Sequence, residues 1–125
     1  GNNAFYVQQS TPKTLTMGSF GWWMDYPDPS CWIGPLFTKA SAVPGGMNGS
    51  FWWSPELEKA YAEAQKMTDP EARIGAFSKM QDIIAADTAY APLYSRIKTT
   101  MCSKNVGGFY LHPVHMIDLG SYWRK

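Results

Sequence analysis

Two helix-start signals follow one another in the middle of this 125-residue chain. In the first, Ser54 can cap a helix, Pro55 fits its first turn, and Glu56 complements its positive end. The tetrapeptide Thr-Asp-Pro-Glu at residues 68–71 has the same combination of capping residue, proline and acidic residue. Apolar or large side chains then recur at helical spacing: Leu57, Ala60, Tyr61 and Ala64 after the first signal, and Ile74, Phe77, Gln81 and Ile84 after the second, with Met80 and Ile83 widening the stripe. We therefore predict an antiparallel helical hairpin.

Segments with the alternation of a β-strand lie on both sides of this hairpin. Residues 14–23 and 93–101 alternate between two faces, and residues 5–8 and 109–111 are shorter strand candidates. Residues 30–50 are rich in glycine and proline and are predicted to form a loop. The order strand, loop, two helices, strands indicates a mixed α/β fold in one piece.

The overall charge excludes some classes of partner. The formal net charge is +1 and 17% of the residues are charged, without a basic stripe, so nucleic acid is not an expected partner. No apolar run approaches the roughly 20 residues that span a bilayer. The two cysteines, Cys31 and Cys102, could pair in an oxidising compartment or remain unpaired thiols.

The segment at residues 22–29 reads Trp-Trp-Met-Asp-Tyr-Pro-Asp-Pro. Apolar walls with one charge are typical of a concave site that holds a small cationic or amino-bearing ligand. Neighbours on a strand point to opposite faces, so one of Trp22 and Trp23 is expected to pack inside and the other to line a cleft. Asp28 lies between two prolines and is predicted to satisfy turn amides.

Four sequence blocks occur in an order that resembles a known family. They are Gly21 to Pro29; Trp53-Ser-Pro-Glu-Leu-Glu with Ala60 and Ala64; Thr68-Asp-Pro-Glu-Ala-Arg73 with Gln81-Asp-Ile-Ile and Ala91-Pro-Leu-Tyr94; and Val106-Gly-Gly-Phe109 with His112-Pro113. Together these blocks, which cover residues 18–119, resemble the family 5 extracellular solute-binding proteins. These are the peptide, dipeptide, nickel and oligosaccharide receptors of bacterial ABC importers.

The resemblance implies a fold of the type II periplasmic-binding-protein class, with two α/β lobes that close on a ligand. This chain resembles the C-terminal part of such a receptor. Residues 1–100 would be a partial second-lobe α/β domain, and residues 101–125 a return segment and tail that docks on the first lobe. Self-association or swapping of elements between two copies is left open.

The resemblance also implies a function and a site. The chain would be a non-enzymatic substrate-binding component of an ABC importer, without a cofactor, and its partners would be a short peptide and a membrane permease. It would work in the periplasm, or as a lipid-anchored protein on the surface of a Gram-positive host. Asp25 would pair with the ligand's α-amino group. Further ligand-binding candidates are Trp22, Trp23 and Met24 as walls and Tyr26 as a hydroxyl donor.

Three other interpretations account for parts of the sequence. A carbohydrate-binding module or a glycoside hydrolase fragment would use the tryptophans for stacking and Asp25 with Asp28 as carboxylates, but these lie only three residues apart on a stiff turn. A metal site at His112, His115 and Asp118 has permissive spacing, yet Pro113 disfavours a helix there and no metal is expected. A purely structural domain would bind no ligand.

Overall fold

The computed structural model describes residues 7–8, 11–13, 17–114 and 116–125, with the backbone alone for Met116 and Ile117. The helices with assigned bounds are α1 (Ser30–Phe37), α2 (Pro55–Ala64) and α3 (Pro70–Ala86), and 3-10 turns lie at Lys39–Ser41 and Leu119–Ser121. The strands are β1 (Val106–Gly107), β2 (Leu111–His112), β3 (Met116–Ile117) and β4 (Trp123–Arg124). Among the described residues, no helix has both the length and the apolar character needed to cross a bilayer.

The helical hairpin is confirmed, with both predicted caps in place. The Ser54 side chain accepts a hydrogen bond from the Leu57 amide at 3.0 Å, which satisfies a donor that the first turn of α2 leaves free. The Asp69 carboxylate does the same for the Ala72 amide at 2.7 Å at the start of α3. Because each signal is local, the sequence was sufficient to place both helix starts.

The core lies where α1 packs against α2 and α3. Its buried members are Ile33, Leu57, Ala64, Phe77, Met80 and Ile84. The predicted stripe on α3 is wrong at its first member, because Ile74 is 56% exposed. It is also wrong at Gln81, which is exposed. The face of α3 that meets α2 runs instead through Phe77, Met80 and Ile84, a spacing of three and four residues.

Helix α1 falls inside the segment that was predicted to be a loop, so that prediction is wrong for residues 30–37. Pro35 lies within the helix, where it removes a backbone donor and opposes helix formation locally. Tertiary packing outweighs this cost, because Ile33 and Leu36 are 5% and 6% exposed. The Thr38 hydroxyl ends the helix by donating to the Gly34 carbonyl at 2.6 Å.

The rest of the predicted loop, beyond the 3-10 turn, contains no helix or strand, yet it is fixed by one buried amide. Asn48 is fully buried. Its side-chain nitrogen donates to the Trp52 carbonyl at 2.7 Å and to the Thr38 carbonyl at 3.2 Å, and its side-chain oxygen accepts from the Ser50 hydroxyl at 2.9 Å. Buried polar groups that are fully paired specify one loop conformation. Asn48 thus joins the end of α1 to the chain entering α2.

Several strand predictions are wrong. Residues 17–23 and 93–101 belong to no ladder, residues 7–8 are helical, and of residues 109–111 only Leu111 is in a strand; residues 5–6 and 14–16 lie outside the described residues. A strand needs a hydrogen-bonded neighbour, which alternation in one sequence cannot identify.

Among the described residues, the ladders are two short antiparallel pairs in the C-terminal part of the chain. β1 pairs with β4, with Gly107 opposite Trp123, and β2 pairs with β3, with His112 opposite Met116. Gly107 is required by close approach, because a Cβ there would overlap the Trp123 indole ring. Gly108 has a φ of +72°, which glycine adopts without strain. The glycine pair therefore allows the chain to turn beneath the Trp123 side chain.

Candidate functional site

The segment at residues 22–29 is fastened to the first turn of α1. The Trp22 indole N–H donates to the Cys31 carbonyl at 2.8 Å. In a regular helix this carbonyl would accept from the amide four residues on, but residue 35 is proline and has no N–H. The Trp22 indole therefore takes the place of the missing donor. It also stacks on Phe20, with 5.9 Å between the ring centroids.

Asp25 is held by its backbone while its side chain is exposed. The Asp25 amide donates to the Cys31 sulfur at 3.0 Å, and Cys31 is only 1% exposed. The Cys31 thiol in turn faces Asp25 Oδ2 at 4.0 Å. Among the residues that the structure describes, the Asp25 carboxylate has no other polar partner. Its backbone is therefore fixed while its charge remains available to a ligand.

Asp28 has the structural role that was predicted, and a second partner that was not. Its Oδ1 accepts from the Ser30 amide at 2.8 Å, which confirms the turn-amide prediction. Arg73, 45 residues further along the chain, adds two parallel hydrogen bonds: Nε to Oδ2 at 3.0 Å and Nη2 to Oδ1 at 2.9 Å. The pair is bidentate, the strong form of a carboxylate–guanidinium contact.

The contact between Asp28 and Arg73 shifts the pKa of each partner in the direction that favours its charged form. The hydrogen bond from Arg73 is the main reason why the pKa of the Asp28 carboxyl lies well below its usual range, and the Ser30 hydrogen bonds act in the same direction against burial. The same hydrogen bond raises the pKa of Arg73. Asp28 is thus an ionised carboxylate whose two oxygens are occupied.

Arg73 is the residue that sequence reasoning missed. One signal could have pointed to it: it lies in the first turns of α3, where a positive charge is opposed by the helix dipole and needs a compensating carboxylate. Sequence alone does not say which carboxylate this is. Of the two possibilities for the cysteines, the structure shows unpaired thiols, with Cys31 buried and Cys102 exposed.

The other predicted ligand-binding residues differ in how much of each side chain is exposed. Trp23 is 38% exposed, and the Lys98 ammonium lies 5.7 Å from its ring centroid. Met24 is half-buried. Tyr26 is exposed, with its hydroxyl 3.2 Å from the Ser30 hydroxyl. The two indoles therefore differ in environment: Trp22 packs on α1, and Trp23 is open to solvent.

Of the five candidates, Trp23, Asp25 and Tyr26 are exposed and Trp22 and Met24 are half-buried. Two open grooves lie elsewhere. One is lined by Ser54, Pro55, Glu56, Asp82, Ile83, Ala86 and Asp87, and the other by Asn105, Val106, Tyr122, Trp123 and Arg124. Neither groove contains any of the five predicted ligand-binding residues. Small-molecule sites usually bury most of their ligand, so the segment at residues 22–26 would form only one wall of such a site.

The described residues contain no group of three or more His, Cys, Asp or Glu side chains that could hold a metal ion. His112 uses Nδ1 to accept the Val114 amide at 3.1 Å, and Asp118 accepts the Gly120 amide at 3.0 Å. His115 lies outside the described residues. These contacts stabilise turns in the C-terminal part of the chain.

Comparison with known proteins gives relatives of one kind, although no family model matches the chain. The periplasmic oligopeptide-binding protein OppA of Escherichia coli K12 is 26% identical over 96 residues, which cover 77% of this chain and 17% of OppA. The glutathione-binding protein GsiB of Salmonella typhimurium is 27% identical over 115 residues, which cover 90% of this chain and 22% of GsiB. The chain spans about a fifth of the length of these relatives.

Solved structures agree with these relatives. The ABC transporter-associated periplasmic binding protein DppA of Helicobacter pylori, in complex with the peptide STSA, superposes with a TM-score of 0.68 at 28% identity over 73% of this chain and 18% of that protein. HbpA2 of Haemophilus parasuis has the same fold over 85% of this chain and 20% of its own, with a TM-score of 0.60 and 23% identity. The predicted mixed α/β fold of the type II periplasmic-binding-protein class is confirmed. The homologues of this chain are family 5 periplasmic solute-binding proteins, which are binding proteins rather than enzymes, and the chain corresponds to one part of each.

Proposed function

We propose that this chain is the C-terminal part of a receptor that captures peptides or similar amino-bearing solutes for an ABC importer, and that Asp25 binds the ligand's amino group. The observation that carries the proposal is the state of Asp25. Its amide is bound to the buried Cys31 sulfur, and its exposed carboxylate makes no ion pair with any described residue. Because the backbone of Asp25 is already fixed, its carboxylate can bind an ammonium with a smaller loss of conformational entropy.

The neighbouring side chains fit the same role. Trp23 is exposed and attracts a cation within the chain, because the Lys98 ammonium lies 5.7 Å from its ring centroid. Trp22 is bound to α1 through its indole N–H, Met24 is half-buried, and the Tyr26 hydroxyl lies 3.2 Å from the Ser30 hydroxyl. The DppA relative was solved with a peptide bound, and OppA and GsiB are named for binding oligopeptides and glutathione. These ligands all carry an amino group.

In this proposal the chain supplies one side of a two-lobed trap. Residues 1–100 form part of the second lobe, residues 101–125 return to the first lobe, and ligand capture closes the lobes so that the closed form docks on a membrane permease. The chain is not an enzyme. It works in the periplasm, or tethered to the cell surface by a lipid in a Gram-positive host.

The carbohydrate alternative gains no support. A glycosidase would need two carboxyl groups free to act on the substrate. Asp28 has both oxygens bound to Arg73 and one also to Ser30, and its lowered pKa makes it a poor proton donor. The matched relatives are peptide- and glutathione-binding proteins.

The test is calorimetry on the receptor that carries this chain, titrated with di- to pentapeptides and with oligosaccharides. We expect Asp25→Asn to weaken peptide binding by about 10- to 100-fold, because a hydrogen bond to a charged group contributes about 1.5–3 kcal/mol. Asp82→Asn removes an exposed charge from α3 and serves as the matched control, with unchanged binding. Unchanged peptide affinity in Asp25→Asn, or binding of sugars alone, would overturn the proposal.

A further inference from the structure

The geometry points to Arg73 as a positioning residue for the Asp25 carboxylate, acting through Asp28 and the first turn of α1. This inference rests on the proposed function, since it takes Asp25 as the ligand's anchor. It adds a residue that does not touch the ligand yet determines how well the ligand's amino group is bound.

The guanidinium of Arg73 is fixed to the helical core. Nε and Nη2 bind Asp28, and Nη1 donates to the carbonyl of Ala64 at the end of α2. The group also lies over the Phe77 ring, 5.1 Å from its centroid, and Phe77 is 1% exposed. The Arg73 side chain is itself only 18% exposed. A planar fork held at all three nitrogens has little freedom to move, so it fixes the position of whatever carboxylate it binds.

Asp28 transmits that position to the start of α1. Its side chain accepts the Ser30 amide at 2.8 Å, and its backbone carbonyl accepts the Cys31 amide at 3.0 Å. Cys31 then holds the Asp25 amide through its sulfur at 3.0 Å. The path from Arg73 to the anchor therefore consists of Asp28, Cys31 and Asp25, each in direct contact with the next.

The backbone between the two aspartates offers little slack. Pro27 lies between them and fixes one backbone torsion, and Pro29 restricts Asp28 from the other side, so a shift of Asp28 moves Asp25 as well. A binding group must be held to within about half an ångström of its working position. A lysine at position 73 would keep the charge and lose the fork, so Asp28 could move while the charge balance stayed the same.

The experiment compares one peptide with a free N-terminal amine and the same peptide N-acetylated, titrated by calorimetry into the receptor that carries this chain. For Arg73→Lys we expect about a 3- to 10-fold weaker affinity for the free peptide and an unchanged affinity for the acetylated one. The matched control is Lys79→Arg, the reverse exchange on the exposed side of α3, which should change neither affinity.

A double-mutant cycle separates positioning from a general structural effect. In the Asp25→Asn background the anchor is already lost, so Arg73→Lys should cause no further loss of affinity for the free peptide. If Arg73→Lys does not fold, Asp28→Asn tests the same chain of contacts. This variant removes the carboxylate charge that the Arg73 guanidinium binds and keeps a side chain of the same shape.

The two proposals fail in different ways. The positioning role of Arg73 is overturned if Arg73→Lys weakens the affinity for both peptides equally, or if it still weakens the affinity for the free peptide in the Asp25→Asn background. Either result leaves the role of Asp25 intact. If Asp25→Asn itself preserves the preference for the free amine, the anchor is wrong, and the positioning role is overturned with it.

Discussion

Asp28 has more polar contacts than any other side chain in the segment before α1. Its two oxygens accept one backbone amide and two guanidinium donors, and all of these contacts favour the ionised carboxylate. The Asp28 side chain is 32% exposed, so solvent still screens the pair in part. The pair nevertheless joins residues 45 positions apart, which makes it a tertiary bond between the start of α1 and α3.

The first prediction concerns how the stability provided by Asp28 varies with pH. The folded pKa of Asp28 is lowered from its ordinary value of 3.8, so the stabilisation is complete above that value and is lost as the pH falls towards the folded pKa. At pH 7 we expect Asp28→Asn to lower the free energy of unfolding by about 1–2 kcal/mol. The measurement is urea unfolding of both proteins at pH 7 and at pH 3.

At pH 3 the difference between the wild-type protein and Asp28→Asn should be smaller, because part of the wild-type advantage has been lost to protonation. Asp82→Asn is the control, since Asp82 is exposed on α3 and its variant should differ little from wild type at either pH. A difference between wild type and Asp28→Asn that is equal at both pH values would contradict the ion pair.

Local chemistry explains which residue roles could be read from the sequence. The contact of Asp28 with a turn amide was predictable, because the acceptor and the donor are two residues apart. Its contact with Arg73 was not, because sequence spacing does not report which distant residues meet. The same limit applies to the sulfur of Cys31 beneath Asp25. The predicted ligand-binding role of Asp25 remains a prediction.

At the scale of elements, α2 and α3 were predictable and α1 was not. The starts of α2 and α3 are determined by caps and prolines that lie within one turn of each helix. Helix α1 contains Pro35 and depends on two things that are remote from it in sequence: an apolar surface on α2 and α3, and the Trp22 indole that donates to Cys31. Tertiary contacts overrode the local signal for a loop.

The second prediction tests this account of α1 with a double-mutant cycle. Trp22→Phe removes the indole N–H and leaves the Cys31 carbonyl without its donor, so the free energy of unfolding should fall by about 1 kcal/mol beyond any packing loss. Pro35→Ala restores a backbone N–H at the position that normally serves this carbonyl. In the Pro35→Ala background, Trp22→Phe should therefore cost less. The measurement is urea unfolding of the four proteins.

Trp23→Phe is the matched control for this cycle. The Trp23 indole is 38% exposed, and its N–H makes no hydrogen bond to any described residue. Its replacement should change the free energy of unfolding by less than about 0.5 kcal/mol in both backgrounds. An equal cost of Trp22→Phe with Pro35 and with Ala at that position would show that the indole does not replace the helical donor.

At the scale of the whole molecule, the chain shows apolar surface that its own described residues do not cover. Residues 91–105 are exposed throughout. Leu93, Ile97 and Met101, which share one face in the predicted strand, are 76%, 93% and 96% exposed. Contiguous exposed apolar surface marks a place where another surface packs. The alternation in this segment predicted a strand, yet residues 93–101 pair with no described residue.

The third prediction follows from that uncovered segment and from the finding that the chain matches only about a fifth of the length of its relatives. In the isolated chain, the amides of residues 91–105 should exchange with solvent near the unprotected rate, because the segment is exposed and forms no ladder with the described residues. In the longer receptor that we propose, the same amides should be slowed by at least about 100-fold, since pairing with a neighbouring strand would bury them. Hydrogen exchange followed by mass spectrometry measures both states, with the amides of α3 around Phe77 as the internal reference. Fast exchange of residues 91–105 in the longer receptor would mean that the segment is a solvent-exposed linker and that the expected return to a first lobe is wrong.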